Sequence, residues 1–284
     1  MEYPKKTHDF SWAQTYVYLA AGFVLASVIL LVVMIVVFAG PALLEQGNLG
    51  IFTWHWNPYQ GHFGILPMVM GSIILSFSAL FLALPLAISL CGLMLTAPKH
   101  LAVKVLQAAI RFMTAIPTVV YAFVGVLLLT PLVRLTFAGS GLSLLTATLV
   151  LALLIMPTMV LVLNSGLGFK LDELCPHGLA IGLDKFELLW FFVFPRSKKT
   201  FLAAGLLGFG RAVGDTLIPL MLAGNAPQVP QGLGQSLRTL SAHMALVTAN
   251  EVGGAAYSSL FMAGFLLLGI SALVSIISRA LVKN

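Results

Sequence analysis

The stretch GFGRAVGDTLIPL, residues 208–220, places Arg211 and Asp215 four positions apart in an otherwise apolar run. An arginine guanidinium is planar, permanently charged and carries paired N–H donors that match two oxygens of a phosphate-like anion. A carboxylate cannot accept from a fully deprotonated oxyanion, but it accepts from the hydroxyl of a monohydrogen or dihydrogen phosphate, which sulfate lacks at neutral pH. Asp215 equally suits holding the arginine in place until an anion arrives. Thr216 adds a hydroxyl, and Gly210 and Gly214 form a small-xxx-small pair through which another helix can approach closely.

On an unbroken helix starting near Phe201, Arg211 lies about 15 Å in and Asp215 about 6 Å further, close to the middle of a bilayer. Each charge there costs about 2.5–3.5 kcal/mol. A pair at this spacing, with arginine first, returns only about 0.3 kcal/mol. Local pairing therefore does not explain the two residues. Two explanations stay open: they face a watered substrate pathway, or they form a buried pair that locks helices together.

The elements that must position them are set by composition. Of 284 residues, 60% are hydrophobic and only 8% charged, against about 25% charged in soluble domains, so the chain is an integral membrane protein. Its 15 Lys and Arg against 9 acids are scattered through short connections, without the clustered stripe that nucleic acid requires. Windows long enough to cross about 30 Å of hydrocarbon lie at about 17–39, 66–95, 105–133, 142–163, 201–224 and 255–280. The expected fold is thus all-α, with six transmembrane helices. The first apolar run, about 23 residues, exceeds a secretory h-region of about 7–15 and reads as an uncleaved span. Lys5, Lys6, Lys99, Lys104, Lys170, Lys185, Arg196, Lys198, Lys199, Arg279 and Lys283 fall on one side, and Arg134 and Arg238 on the other. By the positive-inside rule both termini and the 164–200 loop are cytoplasmic.

The outer loop WHWNPYQGHFG carries interfacial aromatics, and its His55 and His62 read as interfacial rather than as metal ligands. No metal site is expected. Cys91 and Cys175 lack ligand spacing and read as structural. Pro85, Pro117, Pro157 and Pro219 each fall inside a span, where a missing donor and a freed carbonyl favour kinked, tightly packed helices in a bundle that moves. Pro117 and Pro219, with Gly210 and Gly214, are the candidates for packing and gating.

The cytoplasmic loop, residues 164–200, is too patterned for a plain connection. Asp184 followed by Glu187 matches a capping box that starts a helix at about 185, running through FELLWFFVF until Pro195 stops it. At about 16 Å this helix cannot span; its apolar surface lies in the interface or docks against the bundle or a partner. The preceding LDELCPHGLAIG reads as a second short helix that ends at Gly182, a good left-handed cap.

Here the residues resemble a known family. Permeases of ABC importers carry Glu-Ala-Ala, three residues, Gly, nine residues, then Ile-x-Leu-Pro. This chain has Gly182, nine residues, then Phe192, Val193, Phe194 and Pro195, with Pro176, His177 and Gly178 in place of Glu-Ala-Ala. GILPMVMGSI (64–73), TAIPTVVYAFVG (114–125), GFGRAVGD (208–215) and LMLAGN (220–225) further resemble the permeases of phosphate-specific ABC importers. That family usually has glutamate where Asp215 stands.

The resemblance implies the type I importer permease fold. Residues 1–64 would hold an N-terminal segment, the first transmembrane helix and an outer loop; residues 65–284 would hold a core of five transmembrane helices with a coupling helix in the 164–200 loop. It implies ATPase docking through His177, Gly178, Ala180, Gly182, Asp184, Phe186 and Pro195, and a phosphate pathway at Arg211, Asp215 and Thr216. It also implies a second permease subunit, paralogue or self, two cytoplasmic ATPase subunits and an extracytoplasmic phosphate-binding protein, in a bacterial inner membrane. The chain has no Gly-Lys dipeptide and so no G-x-x-x-x-G-K-[ST] loop; no cofactor or catalysis is expected in it, and ATP binds a partner. The alternatives are a permease for another oxyanion, an ion-coupled secondary transporter whose carboxylate carries protons, and a membrane enzyme acting on a lipid phosphate.

Overall fold

Long apolar runs fold as long helices, because in lipid the backbone must satisfy its own hydrogen bonds. The computed structural model describes residues 12–44, 51–137, 139–250 and 254–283. Lys5 and Lys6 of the basic flank, and Glu251, which reads as part of a solvated loop before the last span, fall outside these. Five helices are long and apolar enough to cross a membrane, at Gln14–Gly40, Leu66–Thr96, Thr118–Thr136, Leu144–Ala180 and Ala256–Ala280, and the chain is a multi-pass membrane protein.

Helix α1 (Trp12–Leu44) is apolar all round and lies along the last helix, with Phe38 stacked on Phe261 at 5.0 Å. Helix α2 (Leu66–Thr96) buries Ala79, Ala83, Ala87 and Cys91 completely. A small residue every fourth position makes a shallow ridge, and on it α2 packs closely against α6 (Leu144–Ala180), the central helix of the bundle. At 37 residues, α6 is about 55 Å long, so its C-terminal part projects beyond any bilayer. The second short helix expected around Pro176 is in fact this projecting tail, and Pro176 lies inside it.

The third and fifth spans depart from expectation. Residues 105–133 are two helical stretches, not one: α3 (Leu101–Ala115), then α4 (Thr118–Val124), a π turn (Gly125–Leu129) and α5 (Thr130–Thr136). Helix α3 is amphipathic. It buries Val103 and Ile110 while Lys104 and Arg111 are exposed, a pattern for an interface rather than a lipid interior. Pro117 sits at the break, as the residue before α4, and the Tyr121 hydroxyl donates to the Met113 carbonyl at 2.8 Å across it. After α6, a one-turn α7 (Lys185–Glu187) leads through a second π turn (Leu188–Val193) into α8 (Lys198–Gly214) and α9 (Leu217–Leu222). The expected span 201–224 is thus broken at Asp215 and Thr216. Pro219 is the third residue of α9, where its missing N–H forfeits no helical bond. Only Pro85 and Pro157, of the four prolines, lie inside long spanning helices.

Beyond α9 the chain turns through Gly224 and Asn225, both left-handed at φ 79° and 57°. It returns so that Leu237 N–H donates to Ala223 O at 2.9 Å. Leu240 N–H then donates to Ser72 Oγ at 2.8 Å and opens α10 (Leu240–Asn250), followed by α11 (Gly254–Lys283). A Cβ on Gly71 would collide with the Arg238 carbonyl oxygen, so glycine is required for this loop to lie on α2. A two-stranded hairpin, β1 (Trp56–Asn57) with β2 (His62–Phe63), covers the same end. There Trp56 meets the buried His243 ring edge-on at 4.4 Å.

Candidate functional site at the broken fifth span

The break is built by Asp215. Helix α8 ends at Gly214, and Asp215 turns extended at φ −73°, ψ 135°. Its Oδ2 then accepts from the Ile218 N–H at 2.9 Å, occupying one of the free donors at the start of α9. Its carbonyl accepts from Ser241 Oγ at 2.7 Å, which fastens the break to α10. This is the short reach for which aspartate is suited, and it accounts for a carboxylate one methylene shorter than glutamate. The expectation that Arg211 and Asp215 share one helical face fails for the same reason: α8 ends between them. Among the described residues they form no ion pair.

Arg211 instead reaches across to α6, where its Nη1 donates to Thr158 Oγ1. It is half-buried and lines a cavity of about 470 Å³ between α8 and α11, with Gly210 and Val274 at its waist. Thr216, also half-buried, precedes α9 without capping it through its side chain. The small-residue approach differs in detail from the sequence reading. A Cβ on Gly210 would meet Val274 at an ordinary 3.5 Å, one on Gly214 would meet nothing within 4 Å, and the tight point is Gly208 against Met159 Sδ at 2.7 Å. Thr158 escaped sequence reasoning, although it is the lone hydroxyl in the apolar run LVLALLIMPTMVLVL. A guanidinium half-exposed to a cavity and oriented by a hydroxyl can receive an anion with its remaining donors.

The projecting end carries the other group of expected residues. The Asp184–Glu187 capping box forms in both directions, at 2.7 and 2.9 Å. Gly182 is left-handed at φ 86°, with Leu183 N–H donating to Gly178 O at 3.1 Å. His177, Ala180, Gly182, Asp184, Phe186 and Pro195 are all exposed around this turn. Gly178 is not among them. It is buried, and a Cβ there would overlap the Leu188 side chain, so it packs the hairpin together and offers no docking surface. Phe186 and Trp190 stack with ring planes 7° apart, and both remain more than half exposed. Lys170 Nζ ties the base of the hairpin by donating to Arg196 O at 3.0 Å and Ser197 Oγ at 3.1 Å.

No protein-family model matches the chain. Individual proteins do. It is 30% identical over 257 residues to the phosphate transport system permease protein PstC of Pasteurella multocida, covering 82% of this chain and 79% of that one. It is 29% identical to the probable ABC transporter permease protein YqgH of Bacillus subtilis, over 80% and 75% of the two chains. The PstC protein of Haemophilus influenzae is 25% identical over 92% of this chain and 89% of its own. At 30% identity over about four fifths of both chains, the chain belongs to the PstC family of phosphate transport system permeases.

Proposed function

We propose that the chain is the permease subunit through which an ABC importer carries inorganic phosphate into the cytoplasm, with ATP hydrolysed by separate subunits. Names of relatives support the substrate, and the family is one of transport subunits, not enzymes. The observation that carries the reading is Arg211: a half-buried guanidinium at a break in a spanning element, oriented by Thr158 and open to a cavity. The same membership does not favour the ion-coupled alternative.

In this reading Arg211 attracts the anion through the low-dielectric part of its path. Asp215, still able to accept on its other oxygen, takes a hydrogen bond from a protonated phosphate oxygen, and Thr216 adds a hydroxyl. The break follows directly on the turn that carries Arg211, whose side chain lines the cavity. Pro117 and Pro219, both at helix starts, mark points where α4 and α9 can pivot, and Gly210 and Gly214 leave room for a partner. The exposed hairpin from His177 to Pro195 is the coupling element, with its Phe186–Trp190 stack in a groove of the ATPase. A second permease, two ATPases and an extracytoplasmic binding protein complete the importer in the bacterial inner membrane, with six spans once α8 and α9 are counted as one and both termini cytoplasmic. ATP is bound by those partners.

Competition tests the substrate directly. Labelled-phosphate uptake by vesicles holding the assembled importer should be suppressed by excess arsenate and untouched by equal sulfate; suppression by sulfate would assign another oxyanion.

A further inference from the structure

The cavity beside Arg211 does not end there. It continues along α11 past Ser271, Ser275 and Ser278 to Arg279. At 100° per residue the three serines fall within about 60° of one another, so they form one polar stripe on an otherwise apolar helix. With Gly210 facing Val274, Arg279 lies about 9 Å further along the groove than Arg211 at 1.5 Å per residue, and Ser275 and Ser278 lie between.

Several helix serines commit their hydroxyl to the backbone. Ser27, Ser89 and Ser258 turn back to donate to carbonyls four residues earlier, at 2.9, 2.9 and 3.3 Å. Among the described residues Ser271, Ser275 and Ser278 make no hydrogen bond, and Arg279 makes no ion pair. Two guanidinium groups and three uncommitted hydroxyls thus line one groove, with no carboxylate among its lining residues. That set of donors is selective for an anion with several acceptor oxygens.

We propose that this groove is a second oxyanion station, at which Arg279, Ser275 and Ser278 take the phosphate that leaves Arg211 and carry it toward the C-terminal end of α11. The inference rests on the pathway reading of Arg211. A station of this kind divides one long desolvated step into two shorter ones, each with a fixed positive charge.

The test uses the assembled importer in vesicles of two compositions, phospholipid and digalactosyl glycolipid, because a groove open to the bilayer could hold a lipid phosphate instead. Arg279→Gln should lower the maximal rate of labelled-phosphate uptake about tenfold, the loss expected for one charge-assisted hydrogen bond of about 1.5 kcal/mol. The phosphate concentration at half-maximal rate and the subunit composition should stay unchanged. Arg279→Lys should recover most of the rate, and Ser275→Ala with Ser278→Ala should lower it about threefold. All of these should be alike in both lipids. A defect that vanishes in glycolipid would overturn the proposal in favour of headgroup binding. Normal uptake by Arg279→Gln, with Arg211→Gln inactive, would overturn the station alone; normal uptake by Arg211→Gln would remove the pathway reading beneath it.

Discussion

Asp215 performs a backbone task, accepting from the Ile218 N–H, and in the proposed pathway a charge task as well, and the two can be separated. Asparagine caps a helix as well as aspartate does, so Asp215→Asn should keep the Ile218 N–H occupied and leave thermal unfolding of the importer unchanged. Loss of the charge should still lower phosphate uptake at least about tenfold, the worth of one charged hydrogen bond. Asp215→Ala loses both tasks and should in addition cost about 1 kcal/mol of stability. Asp215→Glu keeps the charge and should retain transport with a small loss of thermal stability. Full uptake by Asp215→Asn would reduce the residue to a cap. At this scale the sequence was a partial guide. Arg211 stood out because a charge in an apolar run has a cost, whereas its partner Thr158 is 53 residues away and no local pattern joins them. The capping role of Asp215 had a signal in the Gly-Asp pair followed by Pro219, an N-terminal helix pattern read through because the apolar run continued.

Elements whose determinants are local matched their sequence reading. The capping box at Asp184 and the left-handed Gly182 depend on three or four neighbouring residues, and both form as expected. The third span did not, because length and apolarity of the window outweighed Arg111 within it and Lys104 at its edge. The stretch around Pro176 departs in the opposite direction: it reads as a separate short helix, whereas it continues α6 without a break. Gly178→Leu should unseat Leu188 and loosen the hairpin, lowering co-purification of the ATPase; an unchanged yield would show that the hairpin tolerates the added side chain.

At the other end, burial, aided by the Arg238 charge, pushes His243 down to about 3. Its folded-state value lies below the unfolded one, so its contribution is full above about pH 6.5 and declines as pH falls from there toward 3. Thermal unfolding of the wild type should therefore weaken over that range. His243→Phe, which keeps the ring against Trp56 but carries no titratable group, should flatten the dependence; an equal slope in both would assign it elsewhere.

On the scale of the whole molecule, the chain is a bundle around α6 with two working ends. At the end of α8, Arg211 meets α6 through Thr158 and faces α11 across the cavity, and Asp215 meets α10 through Ser241. The projecting hairpin is joined to the same α6 by continuous helix. In the proposed importer, movement imposed at the hairpin by an ATPase would have a continuous helical route to the Arg211–Thr158 contact. Such coupling requires that the charge at 211 serve the anion rather than the fold. The most direct measurement is labelled-phosphate uptake and ATP hydrolysis on one preparation of the importer carrying Arg211→Gln. Uptake should be abolished while the subunits assemble in normal ratio and still hydrolyse ATP. Uptake at the wild-type rate in that assembled variant would contradict the account.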